Sequence, residues 1–146
     1  MIRDATPADR PAVRGLQALI EYPAPSLLAA AFEVGERGVG GDLLVADDGG
    51  VVGYALVVPG DTDTTPSVAY VAELAVAPDA RREGHATRLV EAVADRYGEY
   101  DQLRVVVAAD DGAARSFYAA SGFRELDRLA DRFGTTDGLL LARGPS

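Results

Sequence analysis

Between Val68 and Tyr97 the apolar residues change period, and that change decides what this chain can fold into. Val68–Val76 is an apolar-rich run of strand character ended by Pro78-Asp79. Ala86, Leu89, Val90, Val93 and Tyr97 then recur at helical spacing, which predicts an amphipathic helix from about Gly84 to Tyr97. Leu103–Ala109 follows as a continuous apolar run, the kind expected where a strand is buried on both faces. Strand, helix and buried strand in succession require a sheet with helices packed on it.

The flanks extend that reading. Ile2–Ala5 reads as a short strand, and Thr6-Pro7-Ala8-Asp9 as a helix start whose stripe is Val13, Leu16 and Ile20. Ser26 is placed to cap a second helix carrying Leu27, Leu28, Ala31 and Phe32, after which Arg37 to Gly41 forms a glycine-rich turn. Leu43–Ala46 and Val51–Val58, joined by Asp47-Asp48-Gly49-Gly50, give a hairpin signal. Gly60 to Pro66 is a polar loop, Ala113–Ser121 a short helix, and Phe123–Leu129 with Leu139–Arg143 two closing strands. The predicted order is β-α-α-β-β-β-α-β-α-β-β. That is an α/β chain with a mixed central sheet of six to seven strands, flanked by about four helices.

A length of 146 residues predicts one domain, large enough to need no disulfide or metal staple. Composition removes whole classes of chemistry. With no cysteine there is no thiol catalysis and no Cys-based zinc site, and one histidine leaves no His-rich metal cluster. No lysine occurs either, which excludes a P-loop lysine, a Schiff base and a lysine nucleophile. Among the serines no G-x-S-x-G nucleophile elbow occurs. A net charge of −9 disfavours nucleic acid and anionic membrane surfaces as partners. The acidity and the missing Lys and Asn fit codon bias acting together with a high-salt interior. No apolar run reaches the length of a membrane span and the charged N-terminus is not a signal peptide, so a cytoplasmic location is expected.

Arg81-Arg82-Glu83-Gly84-His85-Ala86 lies between a strand and a helix. The first amides of a helix lack intrahelical partners and sit at about half a positive charge. Gly84 and the small Ala86 let them approach a phosphate closely, and Arg81 and Arg82 add forked donors. The spacing favours an anion site; the alternative is an arginine-bearing strand–helix turn with no ligand. Two other motifs lead nowhere. Gly38-Val39-Gly40-Gly41 precedes a strand instead of opening a helix, so it is no dinucleotide fingerprint. Asp61-Thr62-Asp63 lacks the glycine and distal glutamate of a calcium loop and reads as a turn.

Arg81-x-x-Gly84-x-Ala86, after a strand ending Leu74-Ala75-Val76, resembles motif A of the GNAT (Gcn5-related) N-acetyltransferase superfamily, and Ala114-Arg115-Ser116-Phe117-Tyr118-Ala119-Ala120-Ser121-Gly122-Phe123 is similar to its motif B. The resemblance implies a GNAT-type fold over residues 1–146 and acetyl transfer from acetyl-CoA to a primary amine by direct attack in a ternary complex, with no metal. It implies that Leu74, Ala75 and Val76 offer backbone groups to the pantetheine arm. Arg81, Arg82, Glu83, Gly84, His85, Ala86 and Thr87 would cradle the pyrophosphate. Tyr118 would protonate the leaving thiolate, a phenol having a pKa near that of a thiol; otherwise it is a packed helix aromatic. His85 falls at a variable position of the phosphate loop, where its backbone N–H matters more than its ring.

Departures from the family pattern are specific. Asp111 stands where many peptide-acetylating relatives carry Asn, still on the coenzyme side of the motif. Val106 replaces a Glu, and Tyr70 occupies the position of a strand-borne base. Removal of the amine proton would therefore fall to Glu73, given a bulge near Leu74, or to water ordered by Tyr70. Their structural alternatives are a solvent-facing carboxylate and a cross-strand packing aromatic. The acceptor, a small amine or amino-acid derivative or a peptide N-terminus, is expected between Tyr22–Ser26, the Gly60–Pro66 loop and the final hairpin. The tail ADRFGTTDGLLLAR weakly resembles that of ribosomal-protein alanine acetyltransferases, with Arg132-Phe133 in place of paired tyrosines. A homodimer is one assembly open to the chain. The alternative from a different class is a CoA-binding sensor or partner-binding module that kept motif A and lost turnover.

Overall fold

The computed structural model describes residues 1–34 and 42–144. Its elements are β1 (Ile2–Asp4), α1 (Arg10–Gln17), α2 (Pro25–Val34), β2 (Asp42–Asp47), β3 (Val51–Pro59), β4 (Val68–Val76), α3 (His85–Arg96), β5 (Gln102–Ala108), α4 (Gly112–Ala120), β6 (Arg124–Phe133) and β7 (Thr136–Arg143), with short 3₁₀ turns at Pro7–Asp9 and Pro78–Ala80. The strands form a seven-stranded sheet in the order β1-β2-β3-β4-β5-β7-β6. The predicted mixed α/β architecture is therefore observed, with four α-helices among the described residues. The backbone divides into two compact units, one of residues 1–59 and 71–96, the other of residues 60–70 and 97–146.

In the first unit β1, β2 and β3 pair antiparallel, with Leu43 opposite Leu56 and Val45 opposite Tyr54. Those four residues join Val13 and Leu16 of α1 and Leu28 of α2 in one buried cluster. Leu44, Ala46, Ala55 and Val57 are buried too, and alternation sends them to the opposite face, where α3 packs on β2 and β3. Burial on both faces explains why these strands read as unbroken apolar runs. Thr6 precedes the first turn as expected, and the Asp9 carboxylate reaches back to its N–H (2.7 Å) and hydroxyl (3.2 Å). Two boundaries differ from expectation. α1 ends at Gln17, short of Ile20, and α2 starts at Pro25 ahead of Ser26, because proline's fixed φ suits a first helical position. The turn expected at Arg37–Gly41, with the Gly38–Gly41 stretch, lies outside the described residues.

In the second unit Val68, Ala69 and Tyr70 pair parallel with Gln102, Leu103 and Arg104 of β5, which then runs antiparallel to β7, and β7 to β6. β5 was expected to be buried on both faces; instead Leu103, Val105 and Val107 are buried while Arg104 and Val106 are half-buried. β6 runs to Phe133, beyond the predicted end at Leu129, since pairing with β7 holds a segment whose own residues are mostly exposed. Asp61 closes a turn by accepting from the Asp63 N–H at 2.8 Å. Among the described residues no helix is long and apolar enough to cross a membrane.

Candidate functional site

The loop between β4 and α3 has an unusual backbone. Arg82 (φ 68°) and Gly84 (φ 82°) both lie in the left-handed region. Such a conformation is ordinary for glycine and costs an L-residue about 1–2 kcal/mol, so the surrounding structure holds Arg82 there. Alternation of this kind turns successive N–H groups toward one side, making a concavity for an anion. The first intrahelical bond of α3 runs from Arg88 N–H to Gly84 C=O, so the amides of His85, Ala86 and Thr87 precede the hydrogen-bonded ladder. A Cβ on Gly84 would stand 3.1 Å from Arg88 Nη1. The residues present thus fit a phosphate group: amides ahead of the helical ladder, a glycine where a side chain would intrude, and exposed Arg81 and Arg82 beside it. Arg81 is partly committed, its Nε donating to the Val76 carbonyl at 3.2 Å, which ties the loop to the end of β4. Glu83 is exposed, and its carbonyl accepts from Arg88 Nη2 at 2.9 Å.

His85 does more with its ring than its position in the motif suggested. The ring is buried, its Nε2 has no hydrogen-bond partner, and Asp48 Oδ2 lies 3.7 Å away. Ligand atoms of Asp48, Glu83 and His85 fall within 4.8 Å of one another, a grouping that the sequence does not announce because Asp48 comes from the β2–β3 turn. Arg88 Nη2 lies 3.1 Å from His85 Nδ1, however, and a guanidinium can only donate. Nδ1 therefore accepts, which leaves the ring proton on Nε2, the nitrogen 3.7 Å from Asp48 Oδ2. A cation there would have to displace the proton.

Along β4 burial alternates, with Tyr70 and Ala72 exposed and Val71 and Glu73 buried, and then lapses at the half-buried Leu74 and Ala75 before Val76 is buried again. Tyr70 is 41% exposed, so it is not a packed aromatic. Glu73 is only 5% exposed, which overturns the solvent-facing alternative. Its Oε1 accepts from Gln17 Nε2 (3.0 Å) and Tyr54 Oη (3.1 Å), and its Oε2 from Gln17 Nε2 (3.1 Å) and the Ala24 N–H (2.7 Å). Burial, together with the charge of Glu73, pushes the Tyr54 phenol well above its usual range, so it stays a donor. Gln17 and Tyr54 are the partners that sequence reasoning missed. The one signal for Gln17 was a polar residue four positions after Val13, on the apolar stripe of α1.

In the second unit Tyr118 is buried and edge-on to Phe117 and Phe123, with ring centroids 5.1 and 5.2 Å away. Burial, and next the charge of Asp111, pushes its phenol upward. Asp111 is the N-cap of α4, its Oδ1 accepting from the Ala114 N–H at 3.0 Å. The cap accounts for a carboxylate here without any ligand. Val106 is half-buried on β5.

Known proteins fit this arrangement. An acetyltransferase (GNAT) domain model matches residues 39–125, taking in the whole of β4, the loop and α3. No curated protein matches the sequence. Among solved structures, the ribosomal-protein-S18-alanine N-acetyltransferase from Escherichia coli is similar, at 22% identity and TM-score 0.81 over 100% of this chain and 94% of that one. So is a GNAT family acetyltransferase from Elizabethkingia anophelis with acetyl-CoA bound, at 21% identity and TM-score 0.79 over 99% and 97%. Ard1 from Thermoplasma volcanium is a third, at 23% identity and TM-score 0.80 over 99% and 96%. With the family model spanning more than half of its length, the chain belongs to the GNAT family of acetyl-CoA-dependent N-acetyltransferases.

Proposed function

We propose that the protein acetylates a primary amine, on a small molecule or amino-acid derivative or at a peptide N-terminus, in a ternary complex without an acyl-enzyme. The observation that carries this is the paired left-handed backbone at Arg82 and Gly84 opening onto the amides of α3. Those amides, with Arg81 and Arg82, hold the pyrophosphate, and the β4 backbone from Leu74 to Val76 holds the pantetheine arm. Bound acetyl-CoA supplies an acetyl group on a thioester sulfur. A carbon–nitrogen bond forms as the carbon–sulfur bond breaks, so one proton must leave the nitrogen and one must reach the sulfur. Tyr118 holds the second of these protons, and its raised pKa keeps it there at neutral pH. The first passes to water ordered by the exposed Tyr70 hydroxyl. The Tyr22–Ser26 segment borders the acceptor.

Thermal melting with and without acetyl-CoA tests the donor assignment. At about 100 times the dissociation constant, ligand should add roughly 2.7 kcal/mol, several degrees for a domain of this size. Adenosine and inorganic phosphate should give no comparable shift. Equal melting with and without acetyl-CoA would remove the phosphate-loop assignment and favour a module that binds a protein partner.

A further inference from the structure

Glu73 is a buried carboxylate with three donor groups on it and, among the described residues, no arginine. An ionised carboxylate offers about four lone-pair positions. Each oxygen of Glu73 already accepts two contacts of 3.1 Å or less, so none remains to take a proton from an incoming amine. The donors come from separate places: Gln17 from the last turn of α1, Ala24 from the segment leading into α2, and Tyr54 from β3. The Ala24 contact is the shortest of them and the only one made by a backbone amide. A carboxylate so arranged fixes the path of the chain between α1 and α2.

We infer that Glu73, with Gln17, is a positioning residue that clamps the Tyr22–Ser26 segment onto the sheet and so sets the shape presented to the acceptor. This rests on the reading above that the segment borders the acceptor. The clamp joins residues 56 positions apart, Gln17 and Glu73, and its other contacts hold the Ala24 amide and the Tyr54 hydroxyl on the same two oxygens. Glu73→Gln can preserve it. The amide oxygen keeps the Ala24 N–H, and a flipped Gln17 side chain and the Tyr54 hydroxyl accept from the new NH₂ group. Glu73→Ala cannot preserve it, and Gln17→Leu removes one partner while leaving the carboxylate in place.

Two measurements test the inference. The first is amide hydrogen exchange at Ala24, with the Ala5 amide, which bonds to Leu43 C=O away from the clamp, as the internal reference. Exchange at Ala24 should quicken about tenfold or more in Glu73→Ala and in Gln17→Leu and stay near wild type in Glu73→Gln, with Ala5 unchanged in all. The second is steady-state kinetics with acetyl-CoA and two probes, a hexapeptide with a free N-terminal alanine and phenethylamine. Gln17→Leu should raise acceptor KM about tenfold with kcat within about threefold, and Glu73→Gln should stay within about threefold in both. A fall in kcat of about a hundredfold or more in Glu73→Gln, with KM unchanged, would make Glu73 the base and overturn the inference. Unaltered Ala24 exchange in Glu73→Ala would also overturn it. Exchange needs no turnover, so a wild-type protein inert toward both probes would count against the acceptor reading while the clamp was still decided.

Discussion

Gly53 of β3 lies directly against the backbone of Ala75 on β4: a Cβ built on Gly53 would stand 2.9 Å from the Ala75 carbonyl oxygen and 3.1 Å from Val76 Cγ2. The obstacle is backbone, which cannot swing aside as a side-chain tip can. The neighbouring Ala77 N–H donates to the Val52 carbonyl at 2.7 Å, so β4 is fastened where it would have to move. Leu74 to Val76 is the stretch proposed to hold the pantetheine arm, so packing beneath it should affect ligand binding. Gly53→Ala should cost about 1–3 kcal/mol through overpacking. A lower urea midpoint with an unchanged m-value would show it, and the acetyl-CoA-induced melting shift should shrink with it.

At the other end of the first unit, Asp9 binds Arg3 with both oxygens, at 2.8 and 3.0 Å, and accepts from Thr6 as well. The Arg3 guanidinium, as the largest influence, holds the Asp9 carboxyl down at about 2, from an ordinary value of 3.8. A pKa lowered by folding gives stability that is fully present above the unfolded value and is lost as pH falls through the folded one. Asp9→Asn should therefore be less stable than wild type at pH 7, and the two should converge as pH drops from about 4 to about 2. A constant difference between the two across that window would show that ionisation of Asp9 contributes nothing to folding.

The β4–α3 loop was legible because its signals are local: a strand broken by proline, a glycine where φ must be positive, and helical spacing resuming at once. Glu73 was legible as a residue of interest but not as a buried one. Its burial depends on Gln17, Ala24 and Tyr54, which sequence distance separates from it and pattern reading treats independently. His85 was read through its amide for a similar reason, since Asp48 approaches it only once the β2–β3 turn is folded. The strand β6 was cut short because Arg128 to Arg132 carries charges suited to a loop. Pairing with β7, and Asp137 accepting from Arg128 Nε at 2.7 Å and Asp131 N–H at 3.0 Å, supplies what the local pattern lacks.

Gly84 separates backbone conformation from ligand contact. Gly84→Ala places an L-residue at φ 82°, with its Cβ 3.1 Å from the mobile end of Arg88, and should cost about 1–2 kcal/mol of stability. Its affinity for acetyl-CoA should fall by less than about tenfold, a loss of under about 1.4 kcal/mol. Gly84→Glu bears the same strain but adds a carboxylate before α3, where the helix dipole favours it, so the fold should survive. That carboxylate would fill the proposed phosphate position, and no acetyl-CoA-induced melting shift should remain. A full shift in Gly84→Glu would sink the phosphate-loop assignment.

The charge of Asp111 tunes Tyr118. Tyr118 must be protonated to act as an acid, and burial with the charge of Asp111 raises its pKa from the ordinary 10.0. Loss of this proton should therefore not limit kcat anywhere below pH 10. Asp111→Asn keeps the cap on Ala114 N–H, since asparagine caps as well as aspartate, while removing the charge. Stability should change by only a few tenths of a kcal/mol, and the Tyr118 titration, followed by NMR, should move to lower pH. Tyr118→Phe should lose about a hundredfold or more in kcat while keeping the acetyl-CoA-induced melting shift. A kcat within about threefold of wild type would remove Tyr118 from the proton path and leave water as the donor to sulfur.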